Sequence, residues 1–143
     1  MNYAAIRETL QTGTPDVRQL SPLTLAWVGD CVYELFVRCH LIGSGTRPVS
    51  ELTREESGIS SARAQCAAAA RLAPLLTEEE ASVFRRGKNA KIATKAKNAT
   101  VGEYRTATGL EALMGYLYLT GQDDRLAELI RLAITEESDH GNE

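Results

Sequence analysis

Two acidic residues of this 143-residue chain stand where acids are costly. Asp30 lies inside the apolar run Leu25-Ala26-Trp27-Val28-Gly29-Asp30-Cys31-Val32-Tyr33-Glu34, and Glu111 sits between Leu110 and Ala112-Leu113-Met114. A carboxylate in an apolar surface is expensive to desolvate unless it meets a cation or a metal. Two of them on two packed helices can converge on one divalent ion, and hard Mg²⁺ prefers carboxylate oxygens and water. The competing account is structural pairing. Asp30, Glu34 and Arg38 fall at i, i+4 and i+8 on one helical face, so that a buried carboxylate could be satisfied by Arg38 through Glu34. Gly29 costs a helix about 1 kcal/mol relative to Ala and Asp is also a poor helix former, so something outside the helix must favour the Gly-Asp pair.

A second chemistry-bearing feature is segregated charge. Arg85, Arg86, Lys88, Lys91, Lys95 and Lys97 place six basic residues in thirteen positions with no acid among them, while the rest of the chain has ten basic against nineteen acidic residues. Asn89, Asn98, Thr94 and Thr100 add neutral hydrogen-bonding groups. An acidic protein with one cationic segment is suited to touching phosphates locally; the plainer account is a solvated lysine loop. No aromatic residue interleaves the basic ones, which disfavours stacking on single-stranded bases and leaves backbone contact with a duplex.

The elements that must position these residues all carry the helical period. The pattern predicts a short helix over Tyr3 to Leu10. A long helix follows, opened by Ser21-Pro22 and running to Ile42, where Gly43-Ser44-Gly45 stops it. A helical region from Pro48 to Leu72 is expected to break near Gly58, its alanine-rich half from Ala62 to Ala70 suiting close packing. Thr77-Glu78-Glu79-Glu80 reads as a capping box opening a helix to about Arg86, and Thr100 with Glu103 as another, opening a helix that Gly121 ends. Asp123-Asp124 start the last helix, to about Ile134. Gly87 to Thr100 reads as an exposed loop. The fold expected is all-α: one compact helical domain over residues 1–135, with an acidic, frayed tail over 136–143. The helix from Leu23 to Ile42 is apolar nearly all round, which implies burial on more than one side, in the centre of the domain or at a subunit contact.

That same stretch is interrupted by Asp30, Glu34, Arg38 and His40, so no apolar run reaches the roughly 18 to 20 residues of a membrane span. The N-terminus lacks a basic region followed by a long apolar one, which makes the cytoplasm the expected location. Cys31, Cys39 and Cys66 are odd in number and form no C-x-x-C pair, so they read as reduced core thiols.

The run from Leu25 to Glu34 resembles the signature helix of ribonuclease III catalytic domains. Gly109-Leu110-Glu111-Ala112-Leu113-Met114-Gly115-Tyr116-Leu117-Tyr118-Leu119 resembles their second acidic helix. With Phe84-Arg85-Arg86-Gly87-Lys88-Asn89-Ala90-Lys91, Lys97-Asn98-Ala99 and Tyr104-Arg105, the likeness is closer still to the mini-ribonuclease III branch, in which the catalytic domain stands alone. It covers roughly residues 20 to 130, with the motifs in order. The resemblance implies a catalytic and metal-binding pair, Asp30 and Glu111, holding Mg²⁺, for which Mn²⁺ is a substitute. It also implies an obligate homodimer with Trp27, Val28 and Tyr33 at the interface. The segment Arg85, Arg86, Lys88, Asn89, Lys91, Lys95, Lys97 and Asn98 would contact double-stranded RNA. By the same resemblance the activity is endonucleolytic and leaves 5′-phosphate ends. Its substrate would be precursor 23S ribosomal RNA, with a ribosomal protein as a conceivable assistant.

The chain departs from full-length ribonuclease III at two positions, Ala26 and Thr108, where that pattern has carboxylates; Glu34, Glu51 and Glu55 are the acids left to supply outer-sphere help. Two other functions compete: a non-catalytic dimeric RNA-binding module of the same fold, and an all-helical nucleotide pyrophosphohydrolase. The first gives no reason for acids at Asp30 and Glu111. The second pairs acids at E-x-x-E spacing, and no such pair flanks either site.

Overall fold

The computed structural model describes residues 1–91 and 99–135, and the acidic tail expected over 136–143 lies outside them. Among the described residues the chain forms seven α-helices and no strand: α1 (Tyr3–Leu10), α2 (Pro22–Gly43), α3 (Val49–Ser60), α4 (Ala62–Leu72), α5 (Glu78–Lys88), α6 (Val101–Leu119) and α7 (Asp123–Ile134). The helix starts follow from side-chain capping. Asn2, Ser21, Ser61, Thr77 and Thr100 each accept the backbone N–H three residues on, which satisfies a donor the helix itself cannot. Both expected capping boxes form, with Glu80 accepting from the Thr77 N–H and Glu103 from the Thr100 N–H.

Two expected boundaries move. The break in the Pro48–Leu72 region falls at Ser61, whose extended backbone ends α3 while its hydroxyl caps α4; Gly58 remains inside α3. Gly87 does not begin a loop either. It is buried within α5, which runs on to Lys88.

The reason is close packing between helices. A Cβ on Gly87 would lie 2.7 Å from the Ala112 Cβ, and one on Gly109 would lie 2.7 Å from the Phe84 carbonyl oxygen, so α5 and α6 touch where both lack side chains. The crossing of α2 and α6 is tighter. A Cβ on Gly29 would sit 1.7 Å from the Glu111 carbonyl oxygen, and one on Gly115 would sit 1.9 Å from the Leu25 carbonyl oxygen. Gly29 is therefore set by the neighbouring helix, against its own helix preference. From Ala107 to Leu117 every residue of α6 except Glu111 is buried, and α6 forms the axis of a core shared with α2, α4, α5 and α7.

α2 buries only one side in the protomer. Leu25, Ala26, Gly29, Val32, Tyr33, Val37 and Leu41 face inward, whereas Leu23, Trp27, Leu35 and Ile42 are exposed. Cys31 and Cys39 lie on the exposed side and Cys66 is half-buried, which corrects the reading of all three as core thiols. No helix of the described residues is long and apolar enough to cross a membrane.

Candidate active site

The glycine contact that joins α2 to α6 also brings the two anomalous acids together. Asp30 follows Gly29, and Glu111 supplies the carbonyl on which Gly29 rests, so the two side chains emerge beside one crossing. Their carboxyl groups are close enough for Asp30 to act on the ionisation of Glu111. Like charge so near disfavours the ionised form of Glu111, and a proton or a cation relieves it. Glu111 accordingly has its pKa pushed up to about 9, first by burial, then by Asp30, with Glu34 adding a smaller push. Asp30 is exposed, so the pair opens to solvent on the α2 side and is half-buried on the α6 side.

The structural pairing that the i, i+4, i+8 spacing allowed is not made. Arg38 donates through Nε to Glu56 of α3. Glu34 lies near Asp30 and has its carboxyl pKa raised, by burial first and then by Asp30 and Glu56, against the pull of Arg38. Of the other acids considered, Glu51 is exposed and Glu55 is bound to Arg47.

Among the described residues no three His, Cys, Asp or Glu side chains surround a common point. Asp30 and Glu111 therefore offer two hard oxygen donors and no cage. That donor set fits a divalent ion that retains several waters, and the raised Glu111 pKa marks where positive charge is favoured.

The basic segment begins beside this crossing. Arg85, Arg86 and Lys88 project from the last turn of α5, Asn89 caps it, and Lys91 is exposed just beyond. Because Gly87 packs on Gly109 and Ala112, this basic end is held at the level of α6 that carries Glu111. Lys95, Lys97 and Asn98 lie outside the described residues.

Residues 23–122 match the family model for the ribonuclease III domain. The chain is 47% identical over 121 residues to a mini-ribonuclease 3 of Enterococcus faecalis, an alignment covering 83% of this chain and 92% of that protein. It is 48% identical over 114 residues to the mini-ribonuclease 3 of Symbiobacterium thermophilum, covering 80% and 88%. The X-ray crystal structure of a Fusobacterium nucleatum protein superposes with a TM-score of 0.76 at 31% identity, covering 85% of this chain and 98% of that one. This chain belongs to the ribonuclease III family. It is of the mini-ribonuclease 3 type and is an endoribonuclease. The family acts on double-stranded RNA and depends in general on divalent metal.

The two positions at which the resemblance to full-length ribonuclease III expects carboxylates lie in the core. Ala26 is buried, and Thr108, also buried, donates its hydroxyl to the Tyr104 carbonyl oxygen at 2.9 Å. Tyr33, expected at a subunit interface from the resemblance, is only 1% exposed inside the protomer, because its position on α2 turns it toward α6 and Glu111. Trp27 (76% exposed) and the half-buried Val28 do reach the surface, along a groove whose apolar walls include Ile6, Leu35, Phe36 and Tyr118.

Sequence reasoning missed Gln65. It occupies the first place of the pattern Gln65, Ala68, Ala69, Leu72, the buried i, i+3, i+4, i+7 face of α4, and it is 2% exposed. A carboxamide in an otherwise apolar stripe was the available signal.

Proposed function

We propose that this protein cleaves double-stranded RNA in a Mg²⁺-dependent reaction at a site built on Asp30 and Glu111, with Mn²⁺ able to replace Mg²⁺. The observation that carries the reading is the pair itself. Asp30 and Glu111 are 81 residues apart in sequence and are brought side by side, despite like charge, at the glycine crossing of α2 and α6. Nothing in folding favours that contact, whereas phosphodiester hydrolysis has a use for it.

Mg²⁺ held there would polarise the scissile phosphate and lower the pKa of a water nucleophile. The chain's own groups do the rest. Exposed Asp30 faces the approaching RNA, and half-buried Glu111 holds its oxygens where less water screens them and charge acts strongly. Arg85, Arg86, Lys88, Asn89 and Lys91, continued by Lys95, Lys97 and Asn98, take phosphates along the duplex backbone, a contact that fixes register and carries no base specificity.

A second copy of the chain completes the assembly. Trp27, Val28, Leu23 and Leu35 present an apolar face on α2 that a homodimer would cover, placing two cleavage sites across one duplex. The proposed substrate is the paired ends of precursor 23S ribosomal RNA, in the cytoplasm, with a ribosomal protein as a potential assistant. One domain, residues 1–135, carries this activity.

The test is incubation of a labelled RNA duplex with Mg²⁺ and wild-type protein or the isosteric Asp30→Asn variant. Cutting by wild type, lowered about a thousandfold or more in the variant, is the expected result, since several kcal/mol of charge stabilisation goes with the metal. Equal cutting by both would remove Asp30 from the chemistry. Binding without cutting by either would favour the RNA-binding module.

A further inference from the structure

The inner side of the acidic pair is closed by polar groups that the cleavage reaction does not obviously need. Gln65 reaches inward from α4 and is almost completely buried. Its Nε2 donates to the Ser60 carbonyl at 3.2 Å, and its carboxamide lies close enough to the Glu111 carboxyl to pull that group's pKa down against burial. A primary amide nitrogen has two N–H donors, so the bond to Ser60 leaves one free to turn to Glu111. Across from it the Tyr33 hydroxyl, also buried, feels the charge of Glu111 and of Arg71. Among the described residues neither the Tyr33 hydroxyl nor Gln65 Oε1 finds a hydrogen-bond partner.

Burying a carboxamide with an unmet acceptor costs free energy that Leu or Met at this place would not. Holding the Ser60 carbonyl is a weak reason to retain it, since Ser60 lies beside the α3–α4 corner, where water can reach exposed neighbours. The neighbour that has no substitute is Glu111, whose inner side the buried Gln65 faces. We infer that Gln65 is a positioning residue of the cleavage site, its buried carboxamide tethered at Ser60 and fixing the Glu111 carboxyl so that it faces Asp30. The amide is neutral and cannot release a proton, so it orients the acid without competing for the metal. Groups behind a ligand commonly matter almost as much as the ligand.

This inference rests on the reading of Asp30 and Glu111 as metal-holding acids, and its test separates the two. Gln65→Met keeps the volume and removes the amide; Gln65→Asn keeps the amide and withdraws it by one methylene. Mn²⁺ binding to the RNA-free protein, followed by its paramagnetic resonance, is measured beside kcat and KM for duplex cleavage and beside the melting temperature. Each variant is expected to bind Mn²⁺ about 10–100-fold more weakly and to lose kcat by a similar factor, with KM within about twofold and melting retained. Mn²⁺ affinity and kcat within twofold of wild type in a folded variant would overturn the role, as would loss of the fold in both variants, which would make the amide structural. Glu111→Gln is the control. Should it still cleave, the reading of the acidic pair fails; should it be inactive while Gln65→Met is not, only the role of Gln65 fails.

Discussion

Glu80 is a buried carboxylate and Glu111 a half-buried one in the same small helical protein, and their surroundings are opposite. Glu80, 4% exposed at the start of α5, accepts from the Thr77 N–H at 2.9 Å and from Arg125 of α7 through Nε at 2.9 Å and Nη2 at 2.8 Å. Arg125 is itself held by the Leu75 carbonyl and by Glu128. The Arg125 hydrogen bond pulls the Glu80 carboxyl below its usual range, outweighing burial. Glu111 meets an acid and a neutral amide, and is pushed up to about 9. An acid buried for architecture is surrounded by donors and a cation. An acid buried for chemistry is left short of positive charge, and its surroundings are stable only with a proton or a metal in place.

The largest effect on stability should come from breaking the satisfied site. Arg125→Met leaves Glu80 buried without its cation, and removing one member of a buried pair costs about 3 kcal/mol, toward the low end because Arg125 is partly exposed. Melting should fall on the order of 10 °C, with the cleavage rate at low temperature retained. An unchanged melting temperature would mean that the two acids do not differ as described.

Smaller per pH unit, and opposite in sign, is a pair of effects expected with pH in metal-free protein. The Glu80 pKa is lowered by folding, so its contribution is present above the unfolded carboxylate value and fades as pH falls through the folded one. The Glu111 pKa is raised, so its contribution is present below the unfolded value and is lost as pH rises from about 4.5 toward about 9, by on the order of 1 kcal/mol per pH unit at most. Melting curves from pH 4 to 9 should show that decline flattened in Glu111→Gln and unchanged in Arg125→Met. A decline of equal slope in Glu111→Gln would assign it to another group.

Much of this was legible in the residues, and what was not has physical causes. Caps and breakers at Ser21, Thr77, Thr100 and Gly121 act within a few residues, so the ends they set could be read from the chain. Gly58 and Gly87 misled because a glycine looks like a terminator until its neighbour is known: Gly87 is there to admit Gly109 and Ala112. The anomaly of Gly29-Asp30 was visible, but its cause was not, since the Glu111 carbonyl that forbids a side chain comes from another helix. Tyr33 and Trp27 are six residues apart in one apolar helix, and only the packing against α6 separates the buried one from the exposed one. Arg38 shares a face with Asp30 yet turns to Glu56, a choice that local spacing could not reveal.

The most direct test of the central claim is the melting temperature at pH 7.5 of wild type and Glu111→Gln, each with and without Mg²⁺ and without RNA. The account predicts that Glu111→Gln is at least as stable as wild type when metal is absent, and that Mg²⁺ at about 100 times its dissociation constant raises wild type by roughly 2.7 kcal/mol while leaving the variant where it was. Equal stabilisation of both proteins by Mg²⁺, or a variant that unfolds more readily without metal, would contradict it.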